Sequence, residues 1–525
     1  MSATRAPSSV ASKIGRATAI LMASVLLSRI LGFVRESVIA GVMGANARTD
    51  VYYAAFTIPD FLNHLVAGGA LSITFIPIFS RLSTEGRESD GWRVCSTILS
   101  TLVLVLGTLT VAAEFFADPL ARLVTRDFTP AQFDELARLT RILLPAQLFF
   151  VVGGILMAVQ FAKDSFLGPA LAPLVYNLGI IVGGAALGPL IGMEGFAWGA
   201  LVGSFAGNFV IQLVFARKVG FVFTRRIDLR DVAFREFLLL SIPLALGLSL
   251  TLADDWVTRW MASSVGPAAI TILAYARTLM RIPLAVVGQT TGSASFPLLS
   301  RLYAAGRLPE FRAALSRAMR QVLVLMLPAT ALTIACSREI TFIVYCRGKF
   351  TLDDTIQTAN VLVCYAGGLA AWGIHTVISR GFYAMRDTVT PTWVGTLALF
   401  ASLPVYWLLM NAFSERGLAV ASSVGITIYA TLLYVLFERR TRSEAWRGEV
   451  QLLVALAGLA TVAGFGALGA TSLLDNVLPW TSIAGSLVRL TLGTIVAAGL
   501  YVGSAILFKV TDVVDIASAV FRHRS

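Results

Sequence analysis

Apolar stretches of about twenty residues or more recur from residue 17 to residue 508, each closed by a short charged or turn-forming segment. They fall at 17–44, 50–80, 94–117, 136–162, 169–191, 195–216, 236–262, 268–300, 316–336, 355–384, 391–411, 417–437, 450–473 and 484–508. This pattern predicts an all-α polytopic membrane protein with about fourteen transmembrane helices. The pattern is most disturbed between Ser28 and Arg81, where Arg29, Arg35, Glu36, Asp50 and Asp60 interrupt segments otherwise built for a bilayer. Charge at such depth is costly, so it marks a function or a paired network.

Composition agrees: of 525 residues, 57% are hydrophobic and 14% charged, with a mean hydropathy of +0.78. The net charge of +12 raises the question of nucleic acid. These basic residues lie in short loops between apolar spans and form no patch interleaved with aromatics, so no nucleic-acid partner is expected and they read as topology determinants. The excess gathers in alternate loops, as at Arg217, Lys218, Arg225, Arg226 and Arg230, and again at Arg439, Arg440, Arg442 and Arg447. The opposite loops hold isolated cations such as Arg122, Arg338 and Arg416. The bias predicts both termini in the cytoplasm. Arg5, Lys13 and Arg16 precede a long apolar span with no small-residue cleavage pattern, which predicts an uncleaved first helix.

Cys95, Cys336, Cys346 and Cys364 have no CxxC spacing, and His64, His375 and His523 do not cluster. No metal site or disulfide framework is expected. Cys336 and Cys346 can pair only if they share a loop; free thiols are the simpler expectation.

Three landmarks recur along the chain. Pro77-Ile-Phe-Ser-Arg-Leu82 matches Pro297-Leu-Leu-Ser-Arg-Leu302; Lys163-Asp164 before Pro169 matches Arg386-Asp387 before Pro391; Gly195-Phe-Ala197 matches Gly417-Leu-Ala419. Spacings of about 220 residues at all three predict two homologous six-helix lobes in a parallel repeat, with two helices left over. The expected domains are 1–218, 219–440 and a C-terminal pair of helices with a tail, 441–525.

Arg29 falls ~18 Å and Arg35 ~27 Å along the first helix from Ala17. Arg29 and Glu36 share a face, Arg35 points about 100° from Glu36, and Gly32 between the arginines is a candidate bend. Asp50 is placed to close a charge network with these arginines. Such a network either fixes the first helix pair or lines a path for an anion. In the second lobe Arg277 and Arg281 share a helix face, with Arg259 on the preceding helix. Asp254 and Asp255 either pair with these arginines or hold a coupling cation; their 100° separation makes them a poor catalytic dyad. Arginine planes grip phosphate bidentately, so arginines from both lobes suit a diphosphate.

Pro59, Pro77, Pro243, Pro283 and Pro297, with Gly68-Gly69 and Gly288, mark kinks or hinges. Gly195, Gly199, Gly203 and Gly207 recur every fourth residue, a signal of close helix packing. Gly464-Phe-Gly466-Ala-Leu-Gly469 spells GxGxxG inside an apolar span with no preceding strand and reads as packing, not as a nucleotide site.

The motifs Ser28-Arg-Ile-Leu-Gly-Phe-Val-Arg-Glu36, Thr49-Asp50, Ile58-Pro59 and Phe75-Ile-Pro77 resemble those of the MurJ (MviN) family of lipid II flippases, in the multidrug/oligosaccharidyl-lipid/polysaccharide exporter superfamily. Gly348-Lys-Phe350, Gly381-Phe-Tyr383 and Arg386-Asp387 with Pro391 resemble its later landmarks. The resemblance spans nearly the whole chain. It implies a fourteen-helix, non-enzymatic transporter of the bacterial inner membrane whose lobes enclose a cationic cavity and whose last two helices form a groove for an undecaprenyl tail. Its substrate would be lipid II, carried to the outer leaflet by alternating access for cell-wall synthesis, without ATP or cofactor, driven by the membrane potential with no coupling ion identified. Arg29, Arg35 and Asp50 would be essential, with Glu36 in place of the usual aspartate, and Arg277 and Arg281 would share the diphosphate. Asn63-His64 stands where the family commonly has paired arginines, and Arg277-Thr278 where it has Asp-Arg. These departures keep open a flippase for another polyprenyl-linked glycan, or a small-molecule exporter of the same superfamily.

Overall fold

The structure, a computed structural model, describes residues 7–67, 70–224, 227–245, 250–441, 446–475 and 477–522. Arg5, Gly68, Gly69, Arg225, Arg226, Arg442 and His523 lie outside the described residues, as do the side chains of Lys13, Arg16 and Pro243. Among the described residues every regular element is a helix. The chain divides into two compact units, Met1–Gly247 and Leu248–Ser525.

The first unit opens with α1 (Pro7–Met43), which is helical without a break through Gly32. Gly44, at φ 77°, ends it, and Asn46 starts α2 (Ala47–Ala55) by accepting from the amides of Arg48 and Thr49 at 3.0 and 3.3 Å. The expected second span, 50–80, is divided among α2, α3 (Thr57–Ala67) and α4 (Ala70–Thr84). Pro59 falls in the first turn of α3, where its missing N–H costs nothing. Then follow α5 (Glu88–Phe115), α6 (Ala117–Val124), α7 (Pro130–Leu143), α8 (Ala146–Ala162), α9 (Leu167–Ile191), α10 (Met193–Ser204), a π-helical segment Phe205–Val210, α11 (Ile211–Lys218) and α12 (Val232–Ala245).

The core of this unit joins α4, α5, α8 and α12 through Phe75, Phe79, Trp92, Phe234 and Phe237. Phe79 and Trp92 lie 4.7 Å apart between ring centroids. The glycine series of α10 meets α9 at backbone distance: a Cβ added to Gly179 would fall 2.5 Å from Gly203 Cα, and one on Gly199 would fall 2.5 Å from Gly179 O. This is the close packing that the spacing predicts.

The second unit holds α13 (Leu250–Ala262), α14 (Ala269–Pro283), a π-helical segment Leu284–Gln289, α15 (Thr290–Ala304), α16 (Leu308–Ala335), α17 (Ser337–Tyr345), α18 (Leu352–Ala366), α19 (Leu369–Ala384), α20 (Val389–Thr441), α21 (Trp446–Ser472), α22 (Ile483–Leu507) and α23 (Thr511–Arg522). The 53-residue α20 is two helices meeting at Ser414, whose φ and ψ are 55° and −132°. Its arms correspond to the expected spans 391–411 and 417–437. The π segment directly follows Pro283, where the missing N–H loosens the α-helical ladder. The core packs α16 against α21 and α22, with Tyr501 donating to the Val324 carbonyl at 3.0 Å. Gly464 and Gly466 of the GxGxxG sequence press on Ala331 and Leu500 inside this packing. All four cysteines are free thiols.

Nine helical spans among the described residues are long and apolar enough to cross a membrane, ten when the pair α18 and α19, bent by 46°, counts as one. The expected spans outside this set are 17–44, 50–80 and 236–262, which carry charges, breaks or undescribed residues.

The backbone repeats itself at the spacing seen in the sequence. Left-handed residues pair as Gly44 with Gly266, Asp164 with Arg386, and Gly192 with Ser414, each 222 apart (266 − 44 = 222). Gly86 and Gly306, and the 28-residue helices α5 and α16, are offset by 220 (306 − 86 = 220). The capping boxes at Thr129 with Gln132 and Thr351 with Asp354 return to 222. Equivalent turns at equivalent positions are what a duplicated lobe produces.

Candidate functional site

In the first unit the network is built on Glu36, only 4% exposed near the end of α1. Its Oε1 accepts from Arg35 Nη2 at 2.5 Å and Nε at 3.2 Å, and its Oε2 accepts from the Tyr53 hydroxyl on α2. The separation of Arg35 from Glu36 expected from helix geometry holds for their Cα positions but not for their charged ends. The long arginine side chain folds back around the helix. Asn177 on α9 fixes it there, accepting from Arg35 Nη1 at 3.2 Å. Ser24, three turns earlier, donates to the Ala170 carbonyl at 2.5 Å, so α1 lies along α9 through polar as well as apolar contacts.

The other residues singled out in this unit lie on α1, α2 and α3. Arg29 lies on the exposed face of α1. Asp50 is buried in the first turn of α2, where the helix dipole favours a carboxylate. Asn63 donates to Gln147 Oε1 at 2.8 Å, and His64 is half-buried on α3.

In the second unit the candidates converge. Arg277 Nη1 lies 2.7 Å from Asp254 Oδ2 and also bonds Asp255. Its Nη2 donates to Tyr365 at 2.9 Å and Thr258 at 3.3 Å, and the guanidinium stands 5.0 Å over the Tyr365 ring. Asp254 also accepts from Tyr406 and, at 3.0 Å, from Ser422, both on α20. Asp255 bridges to Arg281 Nη2 at 3.0 Å. Both aspartates therefore pair with arginine, despite pointing apart along α13. Arg259 lies one turn further along that helix. The three arginines and two aspartates leave a formal charge of +1.

The two networks use repeat-equivalent helices. Arg35 and Glu36 on α1 are held from α2 and α9; the aspartates of α13 are held from α14 and α20. Sequence reasoning missed Tyr53, Asn177, Thr258, Tyr365, Tyr406 and Ser422. The available signal was a hydrogen-bonding side chain within an apolar span, which is weaker than a charge.

A sequence model of the family described as lipid II flippase MurJ matches residues 39–487. The chain belongs to the MurJ family. A probable lipid II flippase MurJ of Vibrio cholerae is 28% identical over 428 residues, covering 79% of this chain and 81% of that protein. The lipid II flippase MurJ of Burkholderia cenocepacia is 27% identical over 511 residues, covering 95% and 97%. A solved structure of lipid II flippase MurJ in an inward closed conformation matches the fold with a TM-score of 0.77 at 22% identity, covering 93% and 98%. An inward-facing multidrug resistance MATE family transporter of the MOP superfamily matches at 0.65 and 13% identity, covering 79% and 94%. The chain is thus a multi-pass membrane protein of a transporter family.

Two further features distinguish the C-terminal part of this MurJ-family chain. Arg489 on α22, 5% exposed, donates to Glu339 at 2.9 Å and Asp475 at 2.6 Å, which ties the last helices to α17. α21 and α22 pack closely at Gly466, and two apolar cavities lie on the side of α21 that faces α16. A cavity of about 420 Å³ is lined by Leu323, Leu327, Ala370, Ile374 and Leu452, with Arg320 and Glu449 also in its wall. A second, about 280 Å³, adjoins it at Leu327 between α16 and α21.

Proposed function

We propose that this protein is a lipid II flippase that moves the undecaprenyl-diphosphate-linked peptidoglycan precursor from the inner to the outer leaflet of the bacterial cytoplasmic membrane. The observation that carries this reading is the Arg277–Arg281 pair bridged by one carboxylate within a MurJ-family chain. Guanidinium forks that hold a carboxylate are suited to phosphate. Arg29 and Arg35 in the first unit are the further cations offered to the headgroup, with Glu36 and Asp50 balancing the arginines between inward-open and outward-open states. The apolar cavities along α21 suit a polyprenyl chain.

No bond is made or broken, and no cofactor is needed. The anionic headgroup moves outward down an inside-negative potential, at ~2.3 kcal/mol per charge per 100 mV. Both termini face the cytoplasm in this reading, and the product is delivered to the cell-wall synthesis machinery.

A second reading, a flippase for another polyprenyl-linked glycan, is supported by Asn63, whose amide is engaged with Gln147 where paired arginines are common in the family. The test is translocation in proteoliposomes of fluorescent lipid II and of a second polyprenyl-diphosphate glycan, with and without an imposed potential. Potential-stimulated movement of lipid II supports the first reading. Movement of the other glycan alone supports the second, and movement of neither overturns both.

A further inference from the structure

The adjacent aspartates of α13 hold the same guanidinium on different terms. Asp254 is 2% exposed, and both its oxygens are committed within the unit, to Tyr406, Ser422 and Arg277. The Asp255 side chain is 30% exposed, and its two oxygens span Arg277 and Arg281. The Arg281 side chain is itself 56% exposed. Arg277 does not depend on Asp255 for its position, because Asp254 and Thr258 on α13 and Tyr365 on α18 hold it from two helices. Asp255 thus presents to two arginines, one helical turn apart, the pair of anionic oxygens that a phosphate would present.

We propose that Asp255 is an internal competitor for phosphate: its carboxylate occupies the Arg277–Arg281 pair in the unloaded protein and is displaced by the diphosphate of an anionic polyprenyl lipid. This rests on the substrate reading above. Asp254 remains as the fixed counter-charge, so Arg277 is never left buried without an anion, a state that is strongly disfavoured. Arg259, four residues beyond Asp255 on α13, is positioned to receive the displaced carboxylate. A cationic or neutral headgroup offers nothing to break the bridge, so the competitor also works as a filter.

The test titrates undecaprenyl pyrophosphate into the full-length protein in nanodiscs, comparing wild type with Asp255→Asn, Asp255→Ala and Arg281→Gln. Removing the competitor should tighten binding about tenfold in both Asp255 variants, and removing its outer partner should weaken binding about tenfold. The second Asp255 variant serves if the first does not fold. Unchanged or weaker binding in a folded Asp255 variant overturns the proposal, as does absence of binding in every form. Flipping of labelled lipid II is measured on the same wild-type preparation. If the Asp255 variants bind tighter but no lipid II moves, the competitor stands and the substrate reading fails.

Discussion

Arg277 Nη1 lies 2.7 Å from Asp254 Oδ2 inside the second unit, and the same nitrogen meets Asp255. One guanidinium therefore serves a buried carboxylate and a half-exposed one, and the two are not interchangeable. Asp254→Asn leaves Arg277 with its outer partner alone and should lower stability by about 3–5 kcal/mol, as breaking a buried pair does. Arg277→Met should cost as much. The double variant should recover most of the loss without recovering transport. Thermal unfolding in detergent read as a double-mutant cycle checks this, and additive losses would show that the two residues are not coupled.

Glu36 is the anchor of the first unit, and its partners divide the work. Tyr53→Phe removes one hydrogen bond to a charged acceptor and should cost about 1.5–3 kcal/mol. Glu36→Gln loosens Arg35 as well and should reduce translocation at least tenfold at equal expression. A Glu36→Gln protein that flips lipid II at the wild-type rate would remove this network from the mechanism.

Backbone contact between α9 and α10 leaves no space for a methyl group at Gly179 or Gly203. Gly203→Ala should destabilise the first unit by about 1–3 kcal/mol through overpacking, whereas Gly86→Ala, with nothing within 4 Å, should pay only for its φ of 74°. Melting temperatures of the two variants provide the comparison; equal losses would mean that α9 and α10 part easily.

Asp387 caps the start of α20, accepting from the Thr390 amide at 2.9 Å and hydroxyl at 2.6 Å, and it pairs with Arg440. Partial burial would raise its pKa, but the Thr390 bonds and Arg440 outweigh this and hold it below the usual carboxylate value. The stabilising contribution is present above the unfolded value of about 3.9 and fades as pH falls through the lower folded value. Asp387→Asn should therefore melt below wild type at pH 7, with the gap narrowing as pH falls below about 3.9. A gap that does not narrow below the unfolded value would assign the effect to packing.

The all-helical membrane architecture and the duplication were legible because they rest on hydropathy and on proline, glycine and charge landmarks that recur at fixed spacing. The subdivision of 50–80 was less so: a break such as that at Phe56 is set by tertiary packing and leaves little trace in hydropathy. In the site, the pairing of Asp254 and Asp255 with arginine could be anticipated from their types. The folding back of Arg35 onto Glu36 could not, since it depends on Asn177, 142 residues away. Polar anchors such as Tyr406 and Ser422 carry no charge to betray them.

The spacing between equivalent backbone turns steps from 222 at Gly44 and Gly266 to 220 at Gly86 and Gly306. The stretch from Gly44 to Gly86 thus has two more residues than its counterpart from Gly266 to Gly306. Within a helix, two residues amount to a rotation of about 200° and an axial shift of ~3 Å. The two copies therefore share their turns without sharing one continuous register between them. A residue before the step finds its counterpart 222 positions on and one beyond it 220 positions on, so paired substitutions across the two copies must change offset between Gly44 and Gly86.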